Sequence, residues 1–237
     1  MAQDKTIAII QSNYIPWHGY FDVIRQADLF ITLDTVQYTR RDWRNRNVIK
    51  TPQGPQWLTI PVEAKGRYTQ AIDETRIAGT DWVEQHIRAI EVNYRKAQSF
   101  EQTSPWLFTA MRDAAKSDLL TDVNHALLGA VCTQLGITTP IRRDSHLLPK
   151  AELTAMDSTD RLLRLCQATG ATHYLSGPAA RDYLNVSRFE EAGIGVAWMD
   201  YGGYRDHPQC WGEFMPQVSI VDLLLNCGKD ARDYLGK

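Results

Sequence analysis

The chain has 237 residues, enough for one large domain or two small ones. Its 43% apolar and 23% charged content, with seven Trp, ten Tyr and six Phe, excludes wholesale disorder. A net charge of −2 provides no global field for nucleic acid or an anionic membrane. No apolar run approaches the roughly 20 residues of a membrane-spanning helix. The first residues also lack the basic start and apolar stretch of a signal peptide, so a cytoplasmic protein is expected.

In chain order, Ile7–Ile10 is a β-branched run that predicts a buried strand. A turn from Gln11 to Trp17 leads to a helix over about Gly19–Ala27, then a strand over Leu29–Asp34. Strand, helix, strand in so short a stretch predicts two parallel strands with a right-handed crossover. Val48–Lys50 and Trp57–Val62 flank a Pro- and Gly-rich spacer and predict a hairpin, with Thr75–Ala78 as a further edge strand. Val83, Ile87, Ile90, Tyr94 and Ala97 recur on one helix face from Asp81. Ser104-Pro105 predicts the start of a second helix, and a third runs over about Asp118–Leu135 to Gly136.

Thr139–Arg143 is extended, Asp157–Ala168 helical, and His173–Ser176 a strand. A short helix leads to Gly193, Gly195–Asp200 is a strand, and Ser219-x-x-Asp222 has the form of a capping box for a helix to Cys227. The pattern predicts one α/β domain over 1–237. It has a Rossmann-like, mostly parallel sheet, a β-hairpin insertion and a helical block near 80–136.

Ligands of open parallel sheets bind beyond the carboxyl ends of the strands. Gln11, Ser12 and Asn13 follow the first strand, and Asp34, Gln37 and Tyr38 the second. Ser176-Gly177 and Asp200-Tyr201 follow later ones. If the strands are neighbours, these groups share a cleft; otherwise they are ordinary solvated loop residues. In the turn Asn13–Tyr20, Gly19 would admit a ligand to a helix N-terminus, with Tyr20 beside it. Trp17-His18-Gly19-Tyr20 is similar to the His-x-Gly-His turn of nucleotidyltransferases, with both motif histidines absent.

Residues 37–50 carry Arg40, Arg41, Arg44, Arg46 and Lys50 against the single acid Asp42. Arginine forks suit phosphate or carboxylate, and Trp43 among them suits a base or sugar. The plain alternative is a solvated basic face. His86, in line with Trp82 and Ile90, is either a general base or a packed histidine bonded to a backbone carbonyl. His207 is expected in a surface loop, with closure over a site as the alternative reading. Cys132 and Cys166 read as buried thiols, and no zinc-like Cys/His spacing occurs. Walker A, Gly-x-Ser-x-Gly, Gly-x-Gly-x-x-Gly and His-Glu-x-x-His are all absent.

Ile9-Ile-Gln11-Ser-Asn13-Tyr-Ile-Pro16-Trp-His-Gly19-Tyr20-Phe21-Asp22 and Leu33-Asp34-Thr-Val-Gln37-Tyr38 resemble the WbqC-like family of bacterial proteins. So do Trp43-Arg-Asn45-Arg46-Asn47-Val-Ile-Lys50, Gly54-Pro-Gln-Trp57, Tyr174-Leu-Ser176-Gly177 and Ser219-Ile-Val-Asp222 through Gly228. His18 departs from the apolar residue expected at its place. The resemblance implies a role in O-antigen or related surface-polysaccharide synthesis, with glycine (aminoacyl) transfer as a suggested activity, and it carries over no catalytic residues.

Three readings follow. The first is an enzyme that attaches an amino acid to an amino sugar on a nucleotide or lipid carrier, with His86 or Asp34 as base. Arg46, Asn47 and Lys50 would hold phosphates, and Gln11, Asn13 and Ser176 the sugar or acyl group. The donor is aminoacyl-tRNA, a carrier-protein thioester or ATP, and the acceptor an anionic molecule such as a nucleotide-sugar. The second is a nucleotidyltransferase using ATP, with Mg²⁺ between Asp34 and Asp200 if they are adjacent. The third is a non-catalytic binding module.

Overall fold

Alternation of apolar side chains sets the centre of the fold. The computed structural model describes residues 4–236. In β1 (Thr6–Ile10), Ile7 and Ile9 face one side and Ala8 the other. In β2 (Leu29–Thr32), Leu29 and Ile31 oppose Phe30 in the same way. The two strands are parallel, with Ile7 opposite Leu29 and Ile9 opposite Ile31, and α1 (His18–Gln26) joins them. With β5 (Ile141–Arg143), β6 (His173–Ser176) and β7 (Gly195–Trp198) they form a five-stranded parallel sheet, ordered β5-β2-β1-β6-β7.

Central strands buried on both faces need cover on both. One face packs against α1, α4 (Leu120–Gln134) and α8 (Ile220–Cys227). The other packs against α5 (Lys150–Ala155), α6 (Ser158–Ala168) and α7 (Val186–Glu191). The chain is therefore an α/β fold, as its periodicity predicts.

The hairpin β3 (Arg46–Thr51) and β4 (Gly54–Thr59) is a separate antiparallel sheet. It shares a third core with α2 (Trp82–Tyr94), α3 (Phe100–Ala114) and α4. Helix α8 is apolar on nearly every side, which marks a helix buried all round. Val221 and Leu225 enter the hairpin core while Ile220, Leu223 and Leu224 enter the sheet core, so α8 ties the two together.

Some expectations are corrected. Helix α3 begins at Phe100 and contains Pro105 rather than starting there. The turn before the proline is docked on α8, Ser99 N–H donating to the Leu225 carbonyl (3.0 Å) and Thr103 Oγ1 to that of Leu224 (3.2 Å). That tertiary anchoring outweighs the local breaking tendency of proline. Residues 75–78 form no strand; Val62–Ile77 and Arg76–Leu119 are isolated bridges after a 3₁₀ turn at Ile72–Glu74. Ser219 caps α8 by accepting from Val221 N–H (3.3 Å), but Asp222 turns inward to other partners and the box does not form. Helix α5, which buries only Leu153, is too short to have shown a period. Among the described residues, no helix is long and apolar enough to cross a membrane.

Helix α1 begins against an aromatic cluster. A Cβ on Gly19 would lie 2.4 Å from the Trp17 indole. Trp17 is itself wedged against His18, Tyr201 and Tyr204, so its ring has no easy retreat. Gly19→Ala is expected to overpack this joint and cost about 1–3 kcal/mol. A lower urea midpoint with an unchanged slope would register that cost; an unchanged midpoint would show that the indole can move aside.

Candidate functional site

The loop after β1 carries the sharpest local constraint. Ile15 is buried and takes φ +36°, a backbone region that β-branched residues rarely enter. Asn47 holds it there from β3, its Nδ2 donating to the carbonyls of both Tyr14 and Ile15 at 3.0 Å. Ser219 Oγ donates to the same Ile15 carbonyl (2.7 Å), and Tyr14 N–H donates to the Trp43 carbonyl (3.0 Å). Arg44 donates to Asn13 Oδ1 and lies 3.5 Å from Asp42. Asn124 completes the scaffold, reaching Ser12 Oγ (3.1 Å) and the Arg44 carbonyl (2.9 Å).

This loop walls a pocket of about 220 Å³ lined by Asn13, Pro16, Trp17, Trp43, Asn47 and Gln217. Trp43 keeps 40% of its surface exposed beside Trp57 at 45%, their ring centroids 5.4 Å apart. The Arg46 guanidinium lies over the Trp57 ring at 4.0 Å and also donates to the Arg41 carbonyl. The basic block thus becomes an aromatic shelf with a cationic edge beside neutral amides. Aromatic faces take the apolar side of a sugar or a base, amides its hydroxyls, and guanidinium a phosphate.

Other expected residues are placed elsewhere. Gln11 and Gln37 line a different cleft, of about 430 Å³, with Ser158, Arg161, Tyr174 and Tyr183. Asp34 is enclosed: Oδ1 accepts from Ser12 N–H (2.9 Å), and Oδ2 accepts from the Thr121 hydroxyl. Burial raises its carboxyl above the ordinary range against the pull of these bonds. His86 is also enclosed, with Nδ1 bonded to the Tyr14 hydroxyl (2.9 Å) and the ring bonded to the Thr59 backbone. Lys50 is buried, its Nζ donating to Gln209 Oε1 (2.7 Å) and the Glu213 carbonyl.

Tyr20 donates to the Gln11 carbonyl (2.9 Å), and Tyr38 is buried in the hairpin core. The space a ligand would need over Gly19 is filled by Trp17. Ser176 donates to Tyr174 Oη (3.3 Å), Gly177 lies near the Tyr201 hydroxyl, and Asp200 accepts from Gly202 N–H (2.9 Å). Cys132 and Cys166 are buried thiols, both pushed up to about 12 by desolvation. Among the described residues, no group of three or more His, Cys, Asp or Glu is placed to hold a metal ion.

Sequence reasoning gives no site role to Gln217, nor to Trp57, which enters it only as a strand end and a family match. Trp57 was legible in principle: Arg46 pairs with Thr59 across the hairpin, which makes Trp57 its diagonal neighbour on the same face. Gln217 lies in a stretch with no period to read.

His207 is not a surface-loop residue. It is buried, and Nε2 donates to Asp222 Oδ1 (2.8 Å), whose Oδ2 accepts from the Tyr94 hydroxyl (2.7 Å). Its ring lies 6.3 Å from that of His18.

Asn47→Ala would strand the Tyr14 carbonyl and weaken the hold on Ile15, at an expected cost of about 2–4 kcal/mol. Chemical denaturation reads this directly, and a change below 0.5 kcal/mol (roughly a neutral surface substitution) would contradict the role. Acid should act through two histidines. Burial lowers His86 to about 4, and burial followed by His207 lowers His18 to about 4. The unfolded chain protonates them near 6.5, so between about 6.5 and 4 it binds protons that the fold refuses. Their contribution is present above about 6.5 and is lost as pH falls to about 4, on the order of 2–3 kcal/mol per residue. Denaturation midpoints from pH 7 to 4 would show the fall, reduced in His86→Gln; a profile flat over that range would exclude it.

A family model for the WbqC-like protein family matches residues 11–234. The uncharacterized protein Rv1507c of Mycobacterium tuberculosis (strain ATCC 25618 / H37Rv) is 51% identical over 231 residues, covering 98% of this chain and 97% of that protein. No solved structure matches the chain. With nearly its whole length matched, the chain belongs to the WbqC-like family.

Proposed function

We propose that this protein is a transferase that attaches a small acyl group, glycyl among the candidates, to an amino sugar held on a nucleotide or lipid carrier. The observation that carries the reading is the pocket that Trp43 and Trp17 line with the amides of Asn13 and Gln217, with Arg44 bonded to Asn13 and Arg46 over Trp57, the ring beside Trp43. Sugars bind such mixtures because ring C–H faces stack on indole while hydroxyls pair with amides. The arginines add a grip for the carrier's phosphate. Surface-polysaccharide synthesis is the context that the WbqC-like resemblance supplies.

The transfer balances simply. The sugar amine attacks the carbonyl of an activated acyl donor, a C–N bond forms, and the bond to the leaving group breaks. The amine proton departs with that group. What the pocket contributes is position: two partners fixed in one geometry react with a much smaller entropic penalty.

UDP-glucosamine should quench the indole emission and, at about 100 times its Kd, add about 2.7 kcal/mol of apparent stability. Loss of a stacking face in Trp43→Ala should weaken binding about tenfold, a difference of about 1.4 kcal/mol. No response to the nucleotide-sugar, or full binding by Trp43→Ala, would overturn the reading.

A further inference from the structure

The strand order reverses at β1: the chain moves from β1 to β2 on one side, and β6 returns on the other. In open parallel sheets the loops leaving such neighbours diverge and open a crevice at the strand ends. Here that crevice is the cleft of about 430 Å³ that holds Gln11 and Gln37, within the range of small-molecule sites. Its floor is apolar, built from Ile9, Leu33, Leu162 and Tyr174, and Tyr183 stands at the edge with 58% of its surface exposed.

Arg161 gives the cleft its chemistry. Its Nε donates to the Leu153 carbonyl (2.7 Å) and its Nη2 to the Met156 carbonyl (2.9 Å), which fixes the guanidinium from behind. Among the described residues it forms no ion pair, although acids surround it in sequence. Glu152 pairs with Arg164 (2.8 Å), and Asp157 and Asp160 pair with Arg188 at 3.2 and 2.7 Å. A guanidinium oriented by carbonyls and left without a carboxylate is ready for an incoming anion. Arg161 also borders a neighbouring hollow of about 420 Å³ whose lining is more polar, with Thr35, Thr69, Thr154 and the Glu74 carboxylate, which Lys150 neutralises at 2.8 Å. One side of the arginine thus has an apolar floor, and the other is mainly polar.

We infer that this cleft is a second ligand site, distinct from the Trp43 pocket, that takes a small phosphate ester with a flat ring, of the nucleoside monophosphate class. The phosphate sits on Arg161 at the boundary with the polar hollow. The ring lies over the apolar floor beside Tyr183, within reach of the amides of Gln11 and Gln37. If the transferase reading holds, this is the place for an activated donor; that role rests on the reading, whereas the binding claim does not.

Calorimetric titration with AMP, with adenosine and with inorganic phosphate tests it on the full chain. AMP should bind more tightly than either fragment. Arg161→Gln should weaken AMP at least tenfold, and Tyr183→Ala, which alters an exposed side chain, about fivefold. Both variants should keep the response to UDP-glucosamine, and Trp43→Ala should keep AMP. If Arg161→Gln fails to fold, because it releases the two carbonyls it clamps, Tyr183→Ala decides. No AMP binding by the intact protein overturns the inference, as does AMP binding lost in Trp43→Ala but kept in Tyr183→Ala. Adenosine binding as tightly as AMP removes the anion site. Failure with AMP alongside binding of UDP-glucosamine would sink this site and leave the transferase reading standing.

Discussion

One side-chain amide governs the geometry on which the candidate site depends. Asn47 Nδ2 reaches two consecutive carbonyls, those of Tyr14 and Ile15, where the chain bends into positive φ at Ile15. Such a bend costs about 1–3 kcal/mol for a residue of this type. The bonds from Asn47 and Ser219, with full burial of the Ile15 side chain, offset it. The consequence reaches past the loop. Asn47 belongs to the hairpin, Ile15 follows the central strand, and Ser219 caps α8, so one strained residue joins three elements from different layers. Trp17 and Trp43 face the same pocket because this joint sets where both segments run.

A second polar chain steadies the opposite wall. The Lys50 N–H donates to the Tyr94 hydroxyl (2.9 Å), which donates to Asp222, which in turn receives His207. Residues 199–219 include no helix or strand, a length unusual for a plain connection in a compact fold. They are nonetheless pinned by His207 on Asp222, Gln209 on Lys50 and the Trp211 indole on the Asn93 carbonyl (2.9 Å). Gln217, at the far end of this segment, becomes a pocket wall through contacts made well away from the pocket.

Much of the fold is legible because it rests on local rules. Ile7 and Ile9 alternate with Ala8, Asp157 caps α6 from the residue before it, and Gly228 ends α8 where a stop is expected. The candidate site is less legible because its residues are decided by partners distant in sequence. Asp34 follows a strand end as a ligand-binding carboxylate would, yet Thr121 and Ser12 enclose it. His207 sits among Gly, Tyr and Pro residues typical of a surface loop, and only Asp222 makes it a core residue. Pro105 announces a helix start by every local rule, and docking against α8 moves that start to Phe100.

The arginines carry this lesson into function. By count, residues 40–50 are the basic region of the chain, and counting alone would put any phosphate there. Within that block, among the described residues, only Arg44 meets a carboxylate, Asp42 at 3.5 Å, while Lys50 is buried on Gln209 and the Glu213 carbonyl and Arg46 lies on the Trp57 face at the pocket's margin, bonded to the Arg41 carbonyl. Arg161 stands in a stretch whose acids and bases balance on paper, yet pairing leaves its charge without a carboxylate. What an anion meets is set by which cations the fold has left uncompensated and held in place, not by their density along the chain. The Trp43 pocket is therefore better equipped for a neutral ring with a phosphate at its margin, and the strand-end cleft for an anion at its centre.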